Sequence, residues 1–230
     1  MPVAYDIGMH NGDDANYYLA KGYDVIAVEA NPALCRAAAD RFRNEVHSGR
    51  LKILNVAISD QKGEIDFYVH GRESEWSTIV RPSEMAEWTV TKVKTVRLAD
   101  VIDTARPIDL IKIDIEGADL LALESLDASG LAPQSVSCEA HNVKILCKLI
   151  LMGYERFRLI NGKLARKTFR KHNITTLAGD RIQFGFSKNS SGPFGADLPG
   201  EWYTAEQILH LWSARSLMYG QGWFDIHAER

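Results

Sequence analysis

Short, dense apolar runs alternate along this chain with stretches in which apolar residues recur every three or four positions, the pattern of buried parallel strands joined by amphipathic helices. Val3 to Ile7 is the first such run and stops at Gly8. Asp13 to Lys21 then predicts a helix, with acids in its first turn and Lys21-Gly22 at its end. Asp24 to Val28 reads as a second strand whose carboxyl end carries Glu29. Asn31-Pro32 opens another helix with Leu34, Ala38, Phe42 and Val46 down one face, and Leu51 to Ile58 reads as a third strand. Glu64 to Val69 and Val93 to Leu98 are expected strands flanking a polar and aromatic insert, Gly71 to Lys92. Asp109 to Asp114 predicts a central parallel strand, followed by a helix through Leu120, Leu123 and Leu126 that stops at Gly130. Ser135 to Cys138 predicts a strand ending in Glu139-Ala-His141-Asn142, where Asn142 caps a helix whose apolar face is Val143, Leu146, Leu149 and Ile150. Such repeated alternation is that of an α/β doubly wound sheet.

Beyond residue 155 the pattern changes. Asn161-Gly162 is a hairpin signal, so Arg156, Arg158, Lys163, Arg166, Lys167, Arg170 and Lys171 are expected on two late strands and their extension. A last strand is expected near Arg181 to Phe186, and the turn-rich S-K-N-S-S-G-P-F-G-A-D-L-P-G after it reads as a linker. Thr204-Ala-Glu-Gln207 forms a capping box for a helix bearing Ile208, Leu211, Trp212 and Met218. The expected organisation is one domain over residues 1–188, with a linker and helical C-terminal extension over 189–230 that packs on it. Trp202, Tyr203, Trp212 and Trp223 of that extension either join its packing or cover a cleft.

The turn after the first strand carries the earliest chemical signal. Gly8 and Gly12 frame it, as glycine does where a ligand approaches the backbone or φ is positive. Glu29 follows about 20 residues later, where an acidic side chain in doubly wound sheets accepts from ribose hydroxyls. Position 10 is histidine, so the second glycine of a dinucleotide signature is missing. Asp6, Asp13 and Asp14 surround the point where a pyrophosphate wants bare N–H groups. Acids there repel a dinucleotide but favour S-adenosylmethionine, which carries a sulfonium and an ammonium. Asp13 and Asp14 have a second reading as helix caps.

Four blocks extend this reading: D-I-G-M-H-N-G-D at residues 6 to 13, V-E-A-N-P at 28 to 32, N-V-A-I-S-D at 55 to 60, and I-D-L-I-K-I-D-I-E-G-A-D at 108 to 119. In order and spacing they resemble the FkbM family of S-adenosylmethionine-dependent methyltransferases, over roughly residues 3 to 160. His10 and Asn11 depart from it, standing where many relatives have small or apolar residues. The resemblance implies a Rossmann-like class I methyltransferase, a mostly parallel seven-stranded sheet with helices on both faces. It implies S-adenosylmethionine as cofactor, with Asp6, Gly8, His10, Gly12, Glu29, Asn31, Ala57, Asp60 and Asp114 as the residues that hold it. Asp60 meets the adenine amine or serves only as a turn residue before Gly63. Trp76, Ser77 and Thr78 resemble the family's substrate-side loop. Acceptors in the family include sugar hydroxyls and hydroxyls of secondary metabolites.

Methyl transfer needs alignment of oxygen, carbon and sulfur, plus loss of a proton from a weakly acidic hydroxyl. A positioned base adds a factor of about 10² to 10⁴, and histidine has the ordinary pKa nearest neutrality. His141 is therefore the expected base, with Glu116 or Glu139 orienting it or sharing its role. No metal is assigned, although Asp114, Glu116, Glu139 and His141 together offer an alternative site for magnesium or manganese. No D-P-P-Y or N-P-P-Y follows Ile113, which favours a hydroxyl over a nitrogen acceptor. The basic residues between Arg156 and Lys171 suggest either a solvated face or a patch for a phosphorylated or nucleotide-linked acceptor. An NAD(P)-dependent oxidoreductase and a non-catalytic S-adenosylmethionine-binding protein stay open as rivals.

Composition narrows the setting. The chain has 230 residues, 46% of them hydrophobic, enough for one such sheet. A net charge of −3 provides no footprint for nucleic acid or an anionic membrane. Cys35, Cys138 and Cys147 show no C-x-x-C pairing and read as free thiols. With no apolar stretch long enough to span a bilayer and no leader-like segment before Val3, the expectation is a cytoplasmic protein. Its oligomeric state is not legible.

Overall fold

A computed structural model describes residues 1–187, 190–219 and 223–230, with side chains at all of these except 164–166 and 216–219. The elements are β1 (Val3–Ile7), α1 (Asp13–Lys21), β2 (Asp24–Val28), α2 (Pro32–Arg41), α3 (Arg43–His47), β3 (Leu51–Leu54), β4 (Ala57–Ile58), β5 (Gly63–His70) and β6 (Trp88–Val96). They continue with β7 (Ile108–Ile113), α4 (Asp119–Ala128), β8 (Ser135–Glu139), α5 (Val143–Leu151), β9 (Arg156–Asn161), α6 (Gly162–Thr168), β10 (His172–Thr175), β11 (Arg181–Phe184), α7 (Ala205–Tyr219) and β12 (Phe224–Glu229).

Seven strands form the main sheet in the order β3-β2-β1-β7-β8-β12-β9. All neighbours from β3 to β8 pair in parallel, whereas β12 pairs antiparallel with both β8 and β9. The chain builds outward from β1 in one direction and then from β7 in the other, which opens a crevice beyond the carboxyl ends of these two strands. This is the expected α/β class I methyltransferase architecture, with helices on both faces.

Strand β1 is buried at every position, as a parallel strand covered on both sides must be. Val3, Tyr5 and Ile7 join Leu123 and Leu126 of α4, Ile145 and Leu149 of α5, and Ile208 and Trp212 of α7 in one core. Ala4 turns to the opposite face, with Tyr17 and Tyr18 of α1 and Ala38 of α2. The two cores fix the crevice between rigid layers.

Several elements depart from expectation. The helix after Asn31 breaks at Phe42, whose φ of −108° and ψ of 34° are not helical, and Val46 is exposed. The expected third strand divides after Leu54, and β4 pairs with β6 in a separate β4-β6-β5 sheet. The insert is shorter than expected because Trp88 already pairs with His70, at the end of a continuous antiparallel register. In α5 the inward positions are Ile145, Leu146 and Leu149, while Val143 is exposed. Asn161-Gly162 makes no hairpin: β9 runs directly into α6, and the hairpin is β10 with β11. The Thr204 capping box forms, with Thr204 N–H donating to Gln207 Oε1 (2.9 Å) and Gln207 N–H to Thr204 Oγ1 (3.3 Å). Met218, expected on the apolar face of α7, lies outside the described side chains.

The larger correction concerns residues 189–230. After α7 the chain returns to the main sheet as β12, inserted between β8 and β9, so residue 188 does not divide a domain from an appendage. F-D-I-H-A-E hides this role, because Asp225 and His227 give it the look of a half-exposed strand although both are buried. Among the described residues no helix is long and apolar enough to cross a membrane.

A chain truncated after residue 188 leaves β8 and β9 without the strand that joins them. It is expected to lose the cooperative urea transition of the full chain, followed by circular dichroism; an unchanged midpoint would show that β12 is dispensable.

Candidate active site

The crevice begins at the turn after β1. Gly8 has φ +90°, and a Cβ there would lie 1.8 Å from the Asp114 carbonyl oxygen. Glycine at this position therefore serves the close approach of the turn to the end of β7. A Cβ at Gly12, where φ is +81°, would meet the Phe42 ring at 2.5 Å. Gly12 thus seats α1 on Phe42 and does not border the cavity.

His10 adopts φ 52°, a left-handed conformation uncommon for a side-chain-bearing residue. Glu29 holds it there, accepting from His10 N–H (2.8 Å) through one oxygen and from Asn31 N–H (2.7 Å) through the other. Burial pushes the Glu29 carboxyl up to about 7 against these two hydrogen bonds. The Asn31 side chain accepts from Ala33 N–H (2.9 Å) to cap α2, an occupation that takes it away from a ligand. His10 Nε2 lies 2.8 Å from Ser74 Oγ, and burial lowers its imidazole pKa.

Beneath the turn lies a charge cluster that the motifs did not announce. Register sets Lys112 of β7 beside Asp6 of β1, and Lys112 Nζ stands 3.1 Å from Asp14, 3.3 Å from Asp114 and 3.7 Å from Asp6. Burial opposes the lysine's charge, but Asp114, Asp14 and Asp6 outweigh it and hold its pKa well above the ordinary value. Asp14 also accepts from Ser190 Oγ (2.5 Å) and Ser191 N–H (3.0 Å), and Asp13 pairs with Arg41 at 2.7 Å. Asp6 is fully buried with no hydrogen bond, and burial raises its carboxyl to about 7. Asp13 and Asp14 are thus partnered internally, whereas Asp6 meets only Lys112. Asp13 and Asp14 border the cavity above this cluster with their charges partly met by Arg41 and Lys112, while Asp6 lies beneath it against Lys112.

A cavity of about 480 Å³ opens above this floor, within the range of small-molecule sites. Gly8, His10, Glu29, Ala57, Asp114, Glu116 and Glu139 border it, as expected. Asp6, Gly12, Asn31, Asp60 and His141 are outside its lining, and Asp60 is an exposed turn residue beside Ser59 Oγ (3.1 Å). One wall is apolar, made of Val56, Ala57, Ile58 and Phe67. Trp76 and Ser77 border the cavity from the expected loop, while Thr78 Oγ1 donates to the Glu116 carbonyl (2.7 Å). Trp76 is 55% exposed, with its ring 5.1 Å from that of His70. Sequence reading missed Lys112, Phe67, Ser190 and Ser191. A lone lysine in the apolar run I-K-I was the available signal for Lys112.

At the ends of β7 and β8 the expected catalytic residues do converge. The ligand atoms of Glu116, Glu139 and His141 all lie within 4.8 Å of one another. Glu116 is the second left-handed residue of the crevice, with φ 48°. The buried Asp119 carboxylate braces the same turn by accepting from Ile115 N–H (3.2 Å) and Gly117 N–H (3.1 Å). Burial and Asp114 raise Glu116 to about 7, and burial with Asp114 and Glu116 raises Glu139 well above the carboxylate range. His141 Nε2 stands 3.6 Å from Asp119 and 3.3 Å from Glu139. Asp119 above all holds the imidazole pKa above its ordinary value. His141 is thus one member of a carboxylate cluster, with Glu139 beside it as one of the two expected orienting residues and Asp119 as a neighbour that was not expected.

Among the described side chains, none of the basic residues between Arg156 and Lys171 borders this cavity. Arg156 and Arg158 stack on Trp202, and Arg158 also donates to the carbonyls of Leu198, Pro199 and Gly200. Lys163, Lys167, Arg170 and Lys171 are exposed, and the Arg166 side chain lies outside the described residues. From the C-terminal segment Trp223 borders the cavity, whereas Trp212 is buried in the core.

The profile of the Methyltransferase FkbM domain matches residues 6–171. Among curated proteins, the 2-O-methyltransferase NoeI of Sinorhizobium fredii (strain NBRC 101917 / NGR234) is 33% identical over 135 residues, 51% of this chain and 54% of that protein. The chain thus spans about half the length of the curated relative it matches. Weaker likenesses include the precorrin-6y C5,15-methyltransferase of Geobacter metallireducens, with TM-score 0.40 and 12% identity over 99% of this chain and 78% of that one. A putative methyltransferase of Thermoplasma acidophilum has TM-score 0.40 and 11% identity over 100% of this chain and 67% of that one.

Lys112→Met leaves Asp6 and Asp14 buried without their cation. It is expected to lower the unfolding free energy by about 3 kcal/mol in urea denaturation, with partial recovery when Asp14→Asn is added. A stability equal to wild type would remove Lys112 from the role described.

Proposed function

The chain belongs to the FkbM methyltransferase family, an assignment that makes it an enzyme with S-adenosylmethionine as donor, and we propose that it methylates a hydroxyl oxygen of a sugar, glycan or secondary metabolite. A sugar is the first choice. The observation that carries this reading is the meeting of Glu116, Glu139 and His141, the two glutamates bordering a cavity that Glu29 and an apolar wall also line.

The residues fit the donor. A carboxylate offers about four acceptor positions, so Glu29 retains capacity for ribose hydroxyls after its two backbone bonds. Val56, Ala57, Ile58 and Phe67 offer an apolar wall for a planar base. Asp114, facing Lys112 with one oxygen, is the donor-side carboxylate left to meet positive charge. Bound S-adenosylmethionine supplies an electrophilic methyl group on its sulfonium.

The acceptor side favours a neutral molecule. Asp114, Glu116, Glu139, Glu73 and Glu75 border the cavity, and its lysine, Lys112, is already paired. A phosphorylated or nucleotide-linked acceptor would be repelled there. A sugar ring meets no such penalty, and the exposed Trp76 offers it a flat apolar face beside polar groups. Glu116, Glu139 and His141 receive the hydroxyl and promote loss of its proton. The Sinorhizobium fredii relative is a 2-O-methyltransferase by name, which agrees with an oxygen acceptor.

Incubation of the purified chain with isotopically labelled donor and a panel of oligosaccharides and glycosylated metabolites, read by mass spectrometry, tests the reading. Label is expected on a ring hydroxyl; transfer to nitrogen acceptors alone would overturn it. Glu139→Gln and His141→Ala are expected to lower kcat by about 10² to 10⁴ with donor affinity retained. An unchanged kcat in both would remove the cluster from the reaction.

Glu29 sets a pH dependence of donor binding. Its carboxyl, raised to about 7, is the stronger acceptor for the donor's hydroxyls when ionised, so affinity for S-adenosylhomocysteine is expected to fall as pH drops through about 7. In calorimetry Glu29→Gln should bind about tenfold more weakly at pH 8, the loss of about 1.4 kcal/mol of hydrogen bonding, and should flatten the profile. Wild-type affinity in the variant would exclude Glu29 from the donor site.

A further inference from the structure

Two paired strand ends beside the crevice carry opposed carboxylates. Glu139 of β8 is paired in register with Asp225 of β12. Residues directly opposite on antiparallel strands project to the same face with Cβ atoms about 4.5–5.5 Å apart, and like charges there repel. Asp225 is only 5% exposed and has neither a hydrogen bond nor an ion pair from its side chain among the described residues. A carboxylate buried in that position, beside a second one, meets the opposing charge of Lys112 but also the like charges of Asp114, Asp14 and Asp119.

A donor set lies next to it. Ligand atoms from Glu116, Glu139 and His141 fall within 4.8 Å of one another. Ligands about 2.1 Å from one small ion stand at most about 4.2 Å apart, so the three need only slight adjustment to share one. They come from rigid places: Glu116 from the turn braced by Asp119 and Thr78, Glu139 from a buried strand end, and His141 from the residue before the Asn142 cap. Two carboxylates and one imidazole, with no thiolate, suit a hard divalent ion that retains water ligands.

We propose that Glu116, Glu139 and His141 bind one divalent cation, manganese or magnesium, with the Asp225 carboxylate behind Glu139 supplying the remaining negative charge. The site deepens the function proposed above and rests on it only for the identity of the oxygen that the ion meets. Water positions on the ion leave room for the acceptor hydroxyl, whose acidity the ion increases. The hydroxyl proton passes to solvent water. The oxygen lone pair forms the new O–CH₃ bond while the S–CH₃ bond breaks, its electron pair staying on sulfur.

The full chain, dialysed against a chelator, is titrated with Mn²⁺ and followed by electron paramagnetic resonance of free Mn²⁺. S-adenosylhomocysteine affinity is measured by calorimetry on the same samples. One Mn²⁺ per chain is expected, with affinity at least tenfold weaker in Glu139→Gln and His141→Ala and also weakened in Asp225→Asn. Mg²⁺ is expected to displace the bound Mn²⁺. S-adenosylhomocysteine binding persisting in the variants shows that the fold and donor site survive. Donor-site binding without any Mn²⁺ binding overturns the cation site while leaving the methyltransferase reading intact. Mn²⁺ bound equally by wild type and all three variants also overturns it. Mn²⁺ binding lost in the variants of a chain that binds no S-adenosylhomocysteine would uphold the cation site and sink the donor reading.

Discussion

The buried lysine of β7 is the constraint from which the crevice follows. Asp6 from β1, Asp14 from α1 and Asp114 from the end of β7 all surround Lys112 at the point where the strand order reverses. Removing charges from water costs several kcal/mol per ion, and only the mutual pairing offsets this. The cluster therefore locks the first helix to two central strands through groups that tolerate little displacement. It also consumes negative charge that would otherwise seem available to a ligand. The cavity is bordered by Glu29, Asp114, Glu116 and Glu139 together with Asp13 and Asp14 of the first helix, whose charges Arg41 and Lys112 partly meet.

Two residues with side chains adopt left-handed backbone at this crevice, His10 at φ 52° and Glu116 at φ 48°. Such conformations persist where surrounding bonds over-determine them. Glu29 grips the His10 N–H, and Thr78 and Asp119 brace the turn around Glu116. Gly8 completes the arrangement, because any side chain there would collide with the Asp114 carbonyl. The two turns are thus pressed together, and donor and acceptor ends of the cavity are set against each other by backbone geometry. Alignment of this kind is the larger part of what methyl transfer asks of a protein.

The acceptor end is more acidic than any one motif suggests. The strand β12 adds Asp225 opposite Glu139, and Trp223 at its start borders the cavity. The C-terminal segment is therefore part of the sheet and of the site together. An acidic lining with an exposed aromatic at its rim suits a neutral, hydroxyl-rich acceptor. The proposed acceptor class and the proposed cation site therefore rest on one and the same charge distribution.

The local pattern of residues determined the alternating elements, the crevice and much of its lining. Apolar runs named β1, β2, β7 and β8 to within a residue, and Gly8, Glu29, Glu116 and Glu139 could be placed because strand ends carry ligands in any doubly wound sheet. Pairing across the chain decided the rest. Ala57–Ile58 left the main sheet because β6 offered it a partner, Asn161-Gly162 became a helix start, and F-D-I-H-A-E entered the sheet although it looked like a tail. His141 read as a base oriented by Glu116 or Glu139 and stands between Glu139 and Asp119, while Lys112, which no motif singled out, pairs with acids from three elements. Periodicity reports which way a side chain points within its own element, but the charge it meets there comes from residues distant in sequence, and only the folded chain brings them within a few ångströms.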